Sequence, residues 1–347
     1  MKRATLRDIA EALGITAATV SRALKGYPDI SSRTKQAVLA VADQLNYAPH
    51  PLAVKLRQQE YKVIGVVVPD IMHPFFSDIV SGIVDVVEQL GYHVMLSQSN
   101  ESYEKEVRVT QMLQATGIDG LLMCLSNETV TVDHLRTLRE YDLPIVLFDK
   151  ISLGLDVSTV VTNDFQGAYD AVTHLLQQGY TRVAHIKGPV HPENSRQRFA
   201  GYRAALADYG VPFRPEYVAE CQAVTHAEGY AFAQQFLALP EPPEAIFAVT
   251  DAVAIGAIGA LKEAGQRVPE DMAVIGFSNW TVCELLEPTV SSVVQSGYDI
   301  GCRASELLLR EIQQLRDDQP REHRHLVLNA AVKVRQSSQR TPAITVA

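Results

Sequence analysis

Two hydropathy rhythms divide the chain. Up to residue 45, apolar positions recur at the three- and four-residue spacing of short helices; from Tyr61, β-branched runs alternate with helical stretches. In the head, Leu6–Leu13 reads as an amphipathic helix with Thr5 as its cap, and Thr16 caps a second helix running through Leu24. Gly14 permits the tight turn between them, and Ala10 is small enough to let the pair cross closely. Ile9, Leu13, Ile15, Val20 and Leu24 supply the predicted seam, with Ala10, Gly14 and Val20 at helix-turn-helix spacing. That register leaves Thr16, Ala17, Ala18, Thr19, Ser21 and Arg22 toward water. Short hydroxyl donors and one guanidinium suit phosphates and the acceptor edge of guanine. An ordinary helical hairpin is the plain alternative.

A third helix is predicted from the Ser31-Ser32 cap through Thr34–Leu45, with Val38, Val41, Ala42 and Leu45 facing the first two. Asn46-Tyr47-Ala48-Pro49 ends it. His50–Arg57 is helix-capable but has little to bury itself against, and so short a helix is marginal alone. It reads either as a linker or as a hinge that folds on DNA and wedges Leu56 into the minor groove.

Beyond Tyr61, Val63–Val68 is a near-continuous β-branched run, the pattern of a strand buried on both faces. Strands are also predicted at His93–Ser97, Gly120–Cys124 and Ile145–Phe148, separated by helices near Phe75–Leu90, Glu104–Thr116 and Val132–Glu140. After Thr162 a second set follows: helix Phe165–Gln178, strand Val183–Ile186, helices Gln197–Tyr209 and Glu228–Leu239, strand Ala245–Val249, helix Ala254–Ala264 and strand Ala273–Phe277. Such alternation implies parallel sheets, here two doubly wound α/β lobes behind an all-α head. Facing strand ends place a ligand in the cleft between lobes.

Charge sharpens the division. Residues 1–60 carry a net +4, whereas the whole chain is −9, which leaves −13 on the remainder. Only the head is suited to a polyanion; the acidic body discourages non-specific adhesion. No signal segment opens the chain and no apolar run reaches membrane-spanning length. Cys124, Cys221, Cys283 and Cys302 lack metal spacing and read as reduced thiols, so a cytoplasmic protein is expected.

The sequence resembles the lac repressor (LacI/GalR) family of bacterial transcription factors over essentially its whole length. The matching words include Thr5-Leu6-Arg7-Asp8-Ile9-Ala10, Thr19-Val20-Ser21-Arg22, Leu45-Asn46-Tyr47-Ala48-Pro49 and Gly65-Val66-Val67-Val68-Pro69-Asp70 before Pro74-Phe75-Phe76. Others are Arg198-Phe199-Ala200-Gly201-Tyr202, Asp251 with Ala254-Ile255-Gly256-Ala257, and Val268-Pro269-Glu270-Asp271 before Val274-Ile275-Gly276-Phe277. The resemblance implies a homodimer on a pseudo-palindromic operator and a two-lobed core like a periplasmic sugar-binding protein. It divides the chain into a helix-turn-helix domain (1–49), a hinge (50–60) and an effector-binding and dimerisation core (61–347). Lobe 1 is expected at 61–162 plus 293–323 and lobe 2 at 163–292 plus 324–340. Three crossings join the lobes: the helix near Gly301–Leu315 returns to the first, and the strand Leu326–Val334 belongs to the second.

By position, the resemblance puts Ala17 and Ala18 where the family chooses operator bases and Arg22 where it contacts a base edge. Thr5, Thr16, Thr19, Ser21, Lys25 and Ser31 fall at phosphate positions, and Leu56 at the intercalating leucine, beside Ala53. Two alanines offer methyl contacts only, so discrimination leans on Arg22 and on deformation of the central step. For the effector, the matching positions are Phe75, Phe76, Asp149, Asn194, Arg198, Thr250, Ser278 and Gln295. Asp149 and Arg198 are read as a polar pair for hydroxyls or a carboxylate, with a phenylalanine as apolar wall. Many relatives carry aspartate after Gly-Phe, but here Ser278-Asn279-Trp280 follows. The ligand-stacking aromatic is replaced near Val224–His226. Lys150 adds a candidate cation, which leaves acidic or phosphorylated sugars open.

Two rival classes lose ground. A solute-binding protein would need an export signal and has no use for the head. An enzyme on this fold would need chemistry, but no Gly-x-Gly-x-x-Gly after a strand, Walker loop, Gly-x-Ser-x-Gly elbow or His/Cys cluster is found. His73, His185, His191 and His226 are scattered. The expectation is a regulator of repressor type with neither catalytic residues, metal nor cofactor; a dual activator or a protein-corepressed global regulator is the alternative. The tail after Val334 has no leucine heptads to support a tetramer.

Overall fold

The computed structural model describes residues 6–24, 27, 30–45 and 61–340. The expectations for Thr5, Lys25, Ala53, Leu56 and the 50–60 hinge lie outside them. The chain separates into two units, Met1–Tyr61 and Lys62–Ala347.

In the head, α1 (Leu6–Leu13), α2 (Ala17–Leu24) and α3 (Ser32–Gln44) enclose Ile9, Ala10, Val20, Ala23, Val38 and Ala42. Gly14 takes φ +64° at the α1–α2 turn, a conformation costly for residues with a Cβ. Thr16 Oγ1 accepts the Thr19 amide at 3.1 Å and Ser31 Oγ accepts the Thr34 amide at 3.2 Å, satisfying amides that a helix start leaves free. Leu45 departs from expectation: it follows the last turn of α3 and is 40% exposed.

The larger unit contains two six-stranded sheets. The first has the order β11-β5-β4-β3-β1-β2, all parallel: β1 (Val63–Val68), β2 (His93–Gln98), β3 (Gly120–Met123), β4 (Ile145–Phe148), β5 (Ser158–Thr162) and β11 (His325–Leu328). Both faces of β1 are apolar because both are covered. Ile64, Val66 and Val68 join the core with α4 (Pro74–Glu88) and α11 (Gly297–Arg316), while Val67 joins the one with α5 (Tyr103–Thr116) and α6 (Asp133–Glu140). The second sheet runs β12-β10-β9-β8-β6-β7, made of β6 (Val183–Lys187), β7 (Val218–Glu220), β8 (Ala245–Ala248), β9 (Ala273–Ser278), β10 (Ser291–Val294) and β12 (Ala331–Lys333). It is parallel except for β12 against β10. Its covering helices are α7 (Asp164–Gln177), α8 (Glu193–Asp208), α9 (His226–Leu237) and α10 (Asp251–Glu263).

Three helix pairs cross with backbone almost on backbone. A Cβ on Gly301 would lie 2.1 Å from Ile79 O, and one on Gly82 2.2 Å from Tyr298 O, so α4 and α11 each need the other's glycine. Gly229 and Gly256 do the same for α9 and α10, and Gly201 of α8 faces Phe165 O of α7.

The chain crosses between sheets after β5, after β10 and between β11 and β12. The last crossing corrects an expectation: Leu326–Val334 is not one strand of the second lobe. His325–Leu328 extends the first sheet beside β5, and only Ala331–Lys333 joins the second. Continuous two-residue alternation through this stretch hides the break, which falls at Asn329-Ala330.

His185, in β6, is buried against Phe247, ring planes 8° apart with centroids at 4.6 Å, and its Nδ1 lies 2.9 Å from Phe247 O. Burial pulls its imidazole down to about 3. An unfolded histidine takes its proton near pH 6.5, well before the folded one, so this residue loses the fold stability as pH drops below that value. Buried Asp164 and Asp251, both raised to about 6 by burial, act in the opposite sense and call for a difference measurement. Relative to His185→Phe, the wild type is expected to lose on the order of 2–3 kcal/mol between pH 7 and pH 4 in denaturant unfolding. A constant difference across that window would show that His185 is not held neutral.

Candidate functional site

The strand ends converge on a cavity of about 370 Å³. Phe75 and Phe76 enter it from the first turn of α4, and Asp149-Lys150 follow β4. From the second lobe come Asn194 and Arg198 on α8, Thr250 after β8 and Ser278 at the end of β9, while Gln295 lies between β10 and α11. All nine positions singled out from the sequence thus line one cavity.

Their partners are not the anticipated ones. Arg198 does not pair with Asp149. Its Nε donates to Asp164 Oδ1 at 2.8 Å, its guanidinium donates to Val249 O at 2.7 Å, and Cζ lies 3.7 Å from the Phe277 ring centroid. Both partners of the ion pair are buried, and burial pushes the Asp164 carboxyl up against the pull of Arg198. Lys150 is likewise engaged: Nζ is 2.6 Å from both Glu101 oxygens and 2.9 Å from Asn127 Oδ1. Burial disfavours its ammonium, but Glu101 outweighs this and holds its pKa above the usual lysine value. Asp149, also buried, meets the Asn194 amide at 3.4 Å and the Cys124 thiol at 3.7 Å. Ser278 Oγ donates to Gln295 Oε1 at 2.8 Å, and Gln295 Nε2 donates to Thr162 Oγ1 at 3.1 Å, so one amide ties the ends of β5 and β9 together.

Backbone strain gathers around the same space. Glu101, Asp149, Val224 and Ser278, all lining residues, have φ of 58°, 57°, 56° and 105°. A β-branched residue such as Val224 adopts positive φ only when its surroundings impose it.

On the head, Thr16, Ala18 and Arg22 are exposed, while Ala17, Thr19 and Ser21 are half-buried. Ala17 packs against the helical core, so its methyl is only partly free. Thr16 and Thr19 hydroxyls lie 2.9 Å apart, and the Arg22 guanidinium sits 5.6 Å from the Tyr27 ring centroid. Ser31 is exposed at the start of α3.

Residues 61–330 match the family model of periplasmic binding proteins and sugar binding domain of LacI family, and residues 5–50 that of bacterial regulatory proteins, lacI family. The chain belongs to the LacI family. It is similar to catabolite control protein A of Priestia megaterium, 32% identical over 307 residues that cover 88% of this chain and 92% of that protein. It is 33% identical over 312 residues to the HTH-type transcriptional repressor CytR of Escherichia coli (strain K12), covering 89% and 90%. The solved complex of transcriptional regulator CelR with cellobiose superposes with TM-score 0.73 at 28% identity, over 96% of this chain and 100% of that one. The lac repressor dimer bound to operator and the anti-inducer ONPF shares the fold, with TM-score 0.79 at 24% identity over 97% and 99%.

This LacI-family regulator therefore joins a DNA-binding helix-turn-helix unit to a core of the sugar-binding type. Sequence reasoning missed several lining residues of that core, chiefly His73, Glu101, Asn127 and Trp280. His73 was passed over as one of several scattered histidines, yet burial pulls its imidazole down to about 4 and Lys150 works in the same direction. Trp280 had a signal in being the only tryptophan in the chain, directly after the departure from the Gly-Phe-Asp pattern. Among the described residues no helix is long and apolar enough to cross a membrane, and no group of His, Cys, Asp and Glu could hold a metal ion.

Proposed function

We propose that this regulator binds a pseudo-palindromic operator as a cytoplasmic homodimer, and that a sugar, sugar acid or related metabolite held between the lobes sets its affinity for DNA. Residues 1–49 read the operator, 50–60 form the hinge, and 61–347 carry the effector site and the dimer contacts. Arg22 takes a base edge, Ala17 and Ala18 lie against base methyls, and Thr5, Thr16, Thr19, Ser21, Lys25 and Ser31 take phosphates. Leu56, beside Ala53, enters the minor groove. The effector contacts are Phe75, Phe76, Asp149, Lys150, Asn194, Arg198, Thr250, Ser278 and Gln295. The observation that carries the reading is the convergence of those nine residues, distant in sequence, on one cavity. No catalysis is assigned: the relatives are regulators, and the two cations of the cavity are engaged by carboxylates.

Titration of the full-length protein onto DNA from its own gene neighbourhood, with and without a panel of sugars and sugar acids, tests both halves. Arg22→Ala is expected to lower the ratio of operator to random-DNA affinity by about 1–3 kcal/mol, the discrimination carried by one bidentate base contact. An unchanged ratio would reassign the recognition helix.

A further inference from the structure

His73 and Trp280 face each other across the cleft. His73 precedes α4 on the first lobe and Trp280 follows β9 on the second; their centroids are 4.6 Å apart and the rings stand at 88°. The contact is the favourable edge-to-face geometry of aromatic pairs. Phe76 and Phe75 extend the first lobe's side of it, centred 5.3 and 6.4 Å from His73. The Trp280 backbone amide donates to Asp251 Oδ2 at 2.7 Å, and Asp251 Oδ1 accepts from Ser292 Oγ at 2.6 Å, so a buried carboxyl fixes the indole's mount.

Three polar atoms on the cavity residues are shielded from water and have no hydrogen-bond partner: His73 Nδ1, Trp280 Nε1 and Thr250 Oγ1. Thr250 stands at the N-cap position of α10, where a threonine side chain ordinarily accepts a helix amide, yet it makes no such bond. Groups shielded in this way are destabilising unless something bonds them. The cavity's charges restrict what that can be. Lys150 is held by Glu101 and Arg198 by Asp164, while Asp149 meets an amide and a thiol. An anion entering here finds both cations engaged and a buried carboxylate facing it. A ring compound bearing hydroxyls finds hydrogen-bonding groups, a carboxylate acceptor and apolar ring faces.

We infer that His73 and Trp280 form an aromatic gate across the cleft and, with Thr250, select an uncharged polyhydroxylated ring compound, a sugar or a nucleoside, over its acidic and phosphorylated counterparts. The inference rests on the effector reading above and adds residues and a charge class to it. Closing the gate brings a donor from each lobe onto one ligand, so the compound that bonds both rings also holds the lobes together.

Trp280 is the chain's only tryptophan, so the emission of full-length protein reports on the gate itself. The probes are D-glucose, D-ribose, cellobiose, maltose, adenosine and cytidine, set against D-gluconate, D-glucuronate, glucose 6-phosphate and ribose 5-phosphate. At least one neutral probe is expected to raise the melting temperature and shift the emission, with free sugars and nucleosides scored separately. Trp280→Phe and His73→Phe keep a ring but remove the nitrogen; each is expected to weaken that probe at least ten-fold by calorimetry, with the melting of the unliganded protein retained. Binding confined to the acids and phosphates overturns the charge class. Unchanged affinity for the neutral probe in both variants overturns the gate and leaves the cleft reading standing. Silence of every probe in both readouts removes the effector reading beneath it.

Discussion

Arg198→Ala is expected to destabilise the unliganded protein by about 3–5 kcal/mol, because it strands a buried carboxylate. Asp164 and Arg198 are 5% and 4% exposed, and they are bonded to each other at 2.8 Å. Truncation also deprives Val249 O of its donor and uncovers the Phe277 ring. Arg198→Lys keeps the charge but cannot reach both acceptors with a planar fork, so an intermediate loss is expected. Removing both charges, as in Asp164→Asn with Arg198→Met, is expected to restore much of the loss, since the penalty lies in the unpaired ion more than in the absent bridge. Urea unfolding of the four proteins provides the measurement. A wild-type midpoint for Arg198→Ala would show that Asp164 is solvated or protonated at no cost. Arg198 is thus a stability residue of the second lobe as well as a wall of the cavity, and loss of effector response in Arg198→Ala has meaning only beside its unfolding curve.

Gly256→Ala is expected to cost about 3 kcal/mol, at the top of the range for overpacking. The new Cβ would lie 2.0 Å from His226 O, a backbone atom at the start of α9 with no side-chain rotation to relieve it. Gly229 meets Val253 O at 2.1 Å from the other side, so the two helices cannot shift without breaking the reciprocal contact. Gly259, one turn further along α10, supplies the internal control. Its Cβ would have only the tips of Tyr230 and His226 near, at 3.9 and 4.0 Å. Gly259→Ala is therefore expected to be neutral or to stabilise by up to about 1 kcal/mol through helix propensity. Equal midpoints for the two variants in thermal or urea unfolding would contradict the close crossing.

The two-lobed architecture was legible where a single rhythm dominates. Val63–Val68 and Ile145–Phe148 were predicted with their observed limits because apolar side chains face helices on both sides. The strands at Ser158–Thr162, Val218–Glu220 and Ser291–Val294 were missed. In the last, two of four residues are buried serines, one bonded to Asp251 and one to the Arg335 carbonyl, partners that no hydropathy pattern reveals. For the site, the family's words found the positions but not the pairings. Arg198 binds Asp164 and not Asp149, a choice made by how α7 and α8 pack, and Lys150 turns to Glu101, 49 residues earlier. His73 and Trp280 belong to no shared word, and only the fold brings them face to face.

The Gln295 amide has a mechanical consequence. It accepts from Ser278 and donates to Thr162, so it fastens the chain at two of the three places where it passes from one sheet to the other. A buried amide cannot give up those bonds by degrees, since a half-broken hydrogen bond retains the cost of desolvation without the gain. Rotation of one lobe against the other must therefore release the amide as a unit or leave it in place. Gln295 acts as a detent at the pivot, and it gives the cleft separate settings in place of a continuous range.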